Sequence, residues 1–569
     1  MRSLKYLIGF CLLASLSACS SPQEPAGSID TRKPVFVDVT MEAGLGDFKH
    51  DTGGYGQSLM PEIVGGGGGF IDYNGDGWED ILLVAGGKWS HNELNDVQCL
   101  YLYHNNGDGT FTDVTSVVGL DLVRTYGFGV TVADYDNDGD DDFFLTTIYK
   151  NLLFKNDRGF FVDVSEEAGL FNESAWSTSA LFFDADNDSW PDLYVGSYVD
   201  WTPASDLNCT YRGKKVFCTP QEYTGRSSYF YKNNGDGTFT EWTREAGFLA
   251  GVDTTLDKTL GVAVFDFNND GWMDITTGND TENDMLYVNQ GDGTFKETGL
   301  QSGIAVSKNG YARAGMGLDT GVVDSTGSVS IFVGNFSDET VSVFRYMGNN
   351  QFFDRASASK VGFPSTTTLT FGLVLVDVDS DTDLDLLTAN GHVLTHINEV
   401  SEAVTFKQPP QLYLNRGNGV FDTHESGEGP LAKPLVARGL TYADYDKDGD
   451  VDLLFVENGG PAHLWRNDTD GGGYLRVQAK GSESNKDALG TRIEAVANGL
   501  TMKRWVQTGA SFLTSAEKTV TFGLGTNEVV DTLRVVWPTG KVDEFTNVAV
   551  NQEIRIVEGQ GTYEPVTMD

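Results

Sequence analysis

One acidic nonapeptide recurs along the 569-residue chain and constrains its fold more than any other feature. It reads DYNGDGWED from Asp72, DYDNDGDDD from Asp134, DADNDSWPD from Asp184, DFNNDGWMD from Asp266, DVDSDTDLD from Asp377 and DYDKDGDVD from Asp444. A seventh copy, VVDSTGSVS from Val322, has lost most of its acids and is located by the preceding GMGLDTG. Successive copies start 62, 50, 82, 56, 55 and 67 residues apart. Repeats of this period mark an architecture in which one small supersecondary unit is stacked on its neighbours, because no single unit can bury its apolar face alone.

Short apolar runs flank each loop, GVTVA or GVAVF before it and ILLVAG, FFLTT, LYVGS or LLFVE after it, and they read as buried strands bounded by turns. A third run follows in most copies, as in YLYHNNGDGTF from Tyr101 and MLYVNQGDGTF from Met285. Its NGDG is a hairpin signal, since Asn and Gly tolerate positive φ. A fourth begins with Phe, so each unit is four antiparallel strands, the content of a propeller blade. The fourth-strand motif occurs seven times, at Phe36, Phe111, Phe161, Phe239, Phe295, Phe352 and Phe421. No fourth strand follows the last third strand, HLWRN from His463, and the surplus copy lies at Phe36. Phe36 can therefore close the last blade and remove an exposed sheet edge. The expectation is an all-β chain with a seven-bladed propeller over residues 35–470.

These residues resemble the FG-GAP/VCBS repeats of the cartilage acidic protein family. Beyond Gly471 the pattern changes to GTRIEAVANG, QTGASFLTSAEKTVTFGLG, VDTLRVVWPTGKVDEF and NQEIRIVEG, which resembles the ASPIC/UnbV domain that follows such propellers. On its own, that segment reads as alternating strands with Gly turns. A small β-domain is expected over 471–558, with 559–569 as a tail.

Positions 1, 3, 5 and 9 of the acidic loop carry oxygen donors. They are Asp72, Asn74, Asp76 and Asp80; Asp134, Asp136, Asp138 and Asp142; Asp184, Asp186, Asp188 and Asp192; Asp266, Asn268, Asp270 and Asp274; Asp377, Asp379, Asp381 and Asp385; and Asp444, Asp446, Asp448 and Asp452. Hard oxygen ligands crowded on a tight turn suit Ca²⁺ rather than Zn²⁺. An EF-hand would need Glu at position 12, where Leu83, Leu145, Val195, Thr277, Thr388 and Phe455 stand instead. About six structural Ca²⁺ ions are expected, with the Val322 loop empty because Asp324 is its only ligand-position acid. Ser189 and Thr382 replace the position-6 glycine and should weaken the third and sixth loops.

At the N-terminus, Arg2 and Lys5 precede an apolar run, Tyr6 to Leu16, too short to span a bilayer, which takes about 20 residues. Leu16-Ser17-Ala18-Cys19 resembles a bacterial lipobox, which implies a signal peptide over 1–18, cleavage before Cys19 and lipid on that residue. Ser20 resembles sorting to the outer membrane, and 19–34 reads as a tether. Loss of Arg2 and Lys5 takes the formal charge from −43 to −45, which argues against nucleic acid and against a basic membrane patch. Membrane contact is thus expected only through the lipid. An oxidising envelope permits disulfides. Cys209 and Cys218, close together in CTYRGKKVFC, are expected to bridge, and Cys99 to stay a buried thiol.

No catalytic constellation emerges, and the chain is read as a non-enzyme. HVLTH, with His392 and His396, lacks the Glu of a zinc helix; Gly65 to Gly69 is not followed by the Lys of a phosphate loop; GASFL around Ser511 is not GxSxG. Three long connections, roughly Gly86–Cys99, Tyr198–Ser227 and Asn390–Pro410, all follow second strands and so emerge at the end opposite the acidic loops. Their Trp89, Trp201, Tyr211, Tyr223 and His392 are candidate ligand contacts. The expected function is a calcium-stabilised, lipid-anchored binding or adhesion protein for a glycan or an envelope or extracellular protein. The competing reading is a propeller enzyme, or an accessory factor to one, with its site in the central funnel.

Overall fold

The computed structural model describes residues 33–566, apart from 55–57, 88, 91–92, 95–96, 171–174 and 212. The expected signal peptide, Cys19 and nearly all of the expected tether lie outside the described residues. Residues 32–569 form one compact unit. Among the described residues, no helix is long and apolar enough to cross a membrane.

Seven sheets carry the order expected of blades, first strand to fourth, each antiparallel to the next. The first strands are Gly68–Ile71, Gly127–Ala133, Ser177–Phe183, Thr259–Phe265, Leu318–Val322, Thr370–Val376 and Ala437–Ala443. Each touches the next, and the last touches the first, so they line a closed ring. These strands are buried nearly throughout rather than alternating, because a neighbouring blade covers each face. The fourth strands bury only their leading Phe.

Phe36–Asp38 is the fourth strand of the seventh blade, with Phe36 opposite Asn467 and Asp38 opposite Trp465. A second device closes the ring and repeats around it. The Asn ending a third strand donates from its side chain to a backbone carbonyl in the preceding blade: Asn156 to Tyr73, Asn233 to Tyr135, Asn289 to Ala185, Asn415 to Val323 and Asn467 to Val378. Asn105 of the first blade reaches Tyr445 of the last at 2.9 Å across 340 residues. The fifth blade has Tyr346 at this position.

The C-terminal segment forms two four-stranded sheets. Leu475, Val477, Phe522 and Ile554 of one sheet and Ile493, Ala495, Leu533 and Val548 of the other share a core that continues into Tyr135, Phe182 and Phe239 of the propeller. Tyr563–Pro565 pairs with Gln552–Val557, so the β-structure runs past residue 558 into the segment read as a tail.

The same segment sends a hairpin up the propeller axis. Gly509–Ala510 and Thr514–Ser515 pair with each other, and the second lies parallel to Gly68–Ile71. Ser511 exchanges two backbone bonds with Leu318, and its hydroxyl accepts from Leu373 N–H at 3.1 Å. Leu513 donates to Ser179 and accepts from Gly68, while Thr441 donates to Ser515 O and Val132 to its hydroxyl. Glycine is required where the hairpin passes: a Cβ at Gly67 would lie 2.5 Å from Leu513 O, and one at Gly317 2.9 Å from Ser511 O. Phe512 packs against Phe371 with ring centroids 5.0 Å apart and planes tilted by 54° and, with Leu513, joins a core of Tyr126, Phe128, Trp176 and Met316. The axial space that a funnel site would need is therefore filled by Ser511–Leu513, and GASFL acts as a plug.

Candidate metal centres on the acidic face

The six acidic loops share one hydrogen-bonded frame. The position-1 carboxylate accepts the backbone N–H of positions 5 and 6 at 2.9–3.1 Å in every copy. The position-9 carboxylate accepts the N–H of the third-strand Asn at 2.7–2.9 Å. That frame needs left-handed backbone at positions 4 and 6. Ser189 and Thr382 supply it at φ 78° and 94°, where the other four loops have glycine.

Within the frame, positions 1, 3 and 9 bring carboxylate oxygens within 4.8 Å of one another in four loops: Asp134, Asp136 and Asp142; Asp184, Asp186 and Asp192; Asp377, Asp379 and Asp385; Asp444, Asp446 and Asp452. The first and fourth loops offer an amide oxygen, from Asn74 and Asn268, at position 3. Position 5 stands beside this group: its second carboxylate oxygen accepts from the Asn74 and Asn268 side chains in the first and fourth loops, and Asp138 and Asp188 share Lys155 and Lys232 with position 3. Asp76, Asp138, Asp188, Asp270, Asp381 and Asp448 each use Oδ1 to cap the N–H of position 7.

Burial, reinforced by neighbouring carboxylates, pushes Asp134, Asp184 and Asp444 up to about 7. Burial raises Asp80 to about 9. One oxygen each of Asp136, Asp186 and Asp446 is buried with no hydrogen-bond partner. Crowded, under-bonded carboxylate oxygens of this kind suit a hard divalent cation. Cations from the blades themselves stand near two of the groups. Lys155 pairs with Asp136 and with Asp138 at 3.0 Å, and Lys232 pairs with Asp186 and with Asp188 at 3.5 Å. In the fifth blade the replacement is complete, with Arg345 bound to Asp324 at 2.6 Å.

The C-terminal domain covers this acidic end. Arg476, 1% exposed, bonds Asp444 at 3.1 Å, Glu517 at 2.8 Å and Glu553 at 3.2 Å. Arg492 lies 3.8 Å from Asp266. Lys518 bridges Asp141 to Asp487, and Asp487 accepts the N–H of Asp134 at 2.8 Å. Sequence reading missed these cations, because each stands far along the chain from its loop. The repeated third-strand Asn was visible, but its role across blades was not.

The opposite end carries the three long connections. Cys209 and Cys218 form the expected disulfide, and Cys99 is a buried free thiol. Three candidate contact residues are buried instead of presented. Trp201 packs on Trp176 and donates to Asp206, and Tyr223 accepts from Leu207 N–H. Their rings cover the axial core, so the apolar surface expected for contact is spent inside. His392 accepts Leu394 N–H at Nδ1, so Nε2 carries the proton and donates to Ser337 Oγ at 3.2 Å. Burial drives this imidazole down to about 4, and with this tautomer it cannot take the proton of Ser337. Tyr211 is exposed on the two-stranded Thr210–Lys215 hairpin. Trp89 begins a two-residue strand paired with Glu93–Leu94.

Comparison with known proteins fits this frame. The FG-GAP-like repeat family matches residues 72–145, 134–195 and 216–277, and the ASPIC and UnbV family matches residues 481–563. The chain carries FG-GAP-like repeats and an ASPIC and UnbV domain. Human cartilage acidic protein 1 is 25% identical over 503 residues, which cover 76% of this chain and 71% of that protein. Its Xenopus tropicalis counterpart is 22% identical over 518 residues, covering 79% and 76%. Among solved structures, an Agrocybe aegerita lectin that recognises non-reducing terminal N-acetylglucosamine aligns at TM-score 0.37 and 17% identity, covering 63% of this chain and 79% of its own. The BP39L lectin of Burkholderia pseudomallei aligns at 0.40 and 9%, covering 72% and 98%. A rhamnogalacturonan lyase aligns at 0.34 and 12%, covering 70% and 71%. The FG-GAP-like repeats supply the acidic loops, and the ASPIC and UnbV domain supplies both their cover and the axial plug.

Proposed function

We propose that this chain is a calcium-loaded binding protein of the cell envelope, anchored by lipid at Cys19, that takes a glycan or protein partner on the face opposite its acidic loops. One observation carries the reading. The acidic end is covered by the chain's own C-terminal domain and the axis is plugged, while the other end presents unlike insertions, one closed by the Cys209–Cys218 disulfide. A constrained hairpin loses less freedom on binding than an open loop. The acidic loops stiffen the scaffold, and their carboxylate and amide oxygens at positions 1, 3, 5 and 9 would hold the ions.

The test is a pull-down of envelope polysaccharides and proteins with the delipidated chain in calcium. A partner should be retained by the native protein and lost when residues 209–218 are replaced by a short turn. The replacement leaves Trp201 and Tyr223 in place, because removing the whole Tyr198–Ser227 segment would strip the axial core. Undiminished capture by that variant, or a partner seated on the C-terminal domain, rules the reading out. Cys19→Ala should release the chain from membranes, since the lipid is its one proposed anchor; membrane retention after a high-salt wash counts against the anchor.

A further inference from the structure

The C-terminal domain contacts the acidic loops at the atoms that depend on their folded shape. Its cations meet position-1 carboxylates, Arg476 at Asp444 and Arg492 at Asp266. Further contacts reach the backbone N–H of Asp134 and Asp444 at position 1 and Asp141 at position 8, and others fall on positions 4 and 6. Lys486 N–H donates to Asn137 Oδ1 at 2.8 Å, Lys503 to Asn269 Oδ1 at 3.0 Å, and Gly525 N–H to Ser380 O at 2.7 Å. Ser189 donates to Glu483 O. Asn137, Ser189, Asn269 and Ser380 all have positive φ, from 53° to 78°. Five of the six loops are therefore read by the domain, four of them at residues in left-handed backbone.

We propose that the acidic end is a cation-gated docking surface for the C-terminal domain, and that loop occupancy thereby decides whether the plug stays in the axis. The inference rests on the cation reading of the loops. Without an ion, three or four carboxylates converge in each loop with at most one or two protein cations nearby. Their repulsion opposes the left-handed turns at positions 4 and 6. The docking atoms are then displaced together. The plug's bonds to the first strands are offset in part by strain, because Ser511 and Leu513 are themselves at φ 70° and 62°, a conformation non-glycine residues adopt at a cost, so docking of the domain tips the balance. The blades keep their own support: the third-strand Asn bonds run from blade to blade, independent of the domain.

Hydrogen exchange on the full chain, with and without EGTA, reads the plug and the blades separately. With calcium bound, the Ser511 and Leu513 amides should be protected. On chelation they should exchange about tenfold faster or more, while the Asp142–Thr147 and Asp192–Ser197 strands stay protected. Lys503→Ala, which removes the contact to Asn269 at position 4, should raise plug exchange at saturating calcium without lowering the amount of calcium bound, measured by chelator competition. Plug protection that is unchanged when bound calcium is removed overturns the inference and leaves the cation reading standing. Loss of plug and blade protection in a single step also overturns it. A chain that binds no calcium overturns both.

Discussion

At one end of the ring, six loops repeat the same nine-residue frame, with the position-1 carboxylate closing on the N–H groups of positions 5 and 6 each time. At the other end, the connections of the first, third and sixth blades share neither length nor sequence, and one carries the disulfide. Repetition at the first end serves a shared need, since one binding geometry fixes the turn between first and second strands in blade after blade. Divergence at the second end is free because the blades are already held by their strand ladders and Asn bonds. The fifth blade shows how little of the frame is indispensable. It carries an Arg345–Asp324 pair where the other loops gather carboxylates and lacks the third-strand Asn, yet its four strands pair in the same order as the others.

Removing calcium tests this contrast most severely. With free calcium about 100-fold above the dissociation constant, each site contributes about 2.7 kcal/mol. Chelation should lower the melting temperature by many degrees while the disulfide-bearing end is chemically untouched. A melting temperature indifferent to EGTA would remove the structural role from the acidic loops. A paired substitution sharpens the comparison within one end. Asp134→Asn should reduce bound calcium by one ion and cost about that same contribution. Asp324→Asn should leave the calcium count unchanged and cost about 1–2 kcal/mol by stranding Arg345. Equal loss of calcium from the two variants would show that the fifth loop is a working site.

The smallest effect lies at the seam of the seventh blade. His463 bonds Glu457 at 3.0 Å and lies 3.8 Å from Asp38 on the closing strand, with Lys433 and Lys407 beside those carboxylates. Burial opposes its charge, but the bonds to Asp38 and Glu457 outweigh burial and raise its pKa. A raised folded value stabilises the fold fully below the unfolded pKa of about 6.5, and that contribution is lost as pH rises through the folded value. His463→Gln should therefore flatten part of the decline in melting temperature above about pH 6.5. An unchanged slope would mean that His463 is neutral throughout.

The ring was legible in the sequence because its signals are local and repeated. An acidic turn, an NGDG hairpin and a leading Phe recur together, and the displaced copy at Phe36 announces the closure. The loops were legible as donor sets, and what the sequence did not show is that position 5 also caps the turn through Oδ1. The plug was not legible. GASFL has no periodicity to betray it, and what makes it fit is a circle of backbone groups from Gly68, Leu318 and Leu373 and of hydroxyls from Ser179 and Thr441. Nor were the buried rings of Trp201 and Tyr223 readable, since an aromatic residue in a long loop looks the same whether it faces solvent or the axis.

The closing strand has a mechanical consequence. Any pull on the chain ahead of Val35 enters the ring at Phe36–Asp38, the outermost strand of the seventh blade. Three paired residues, the Val39 N–H bond to Leu464 O, the Asp468 N–H bond to Val35 O, the Val35 N–H bond to Thr469 Oγ1, the Leu464 N–H bond to Thr40 Oγ1, the buried Phe36 ring and the side chains around Asp38 resist it there. Load on the N-terminus is thus borne first by the seam that makes the ring continuous. Under tension that seam should part before the strands around the axis, opening the circle at one defined place while the hairpin along the axis still holds the blades about their centre.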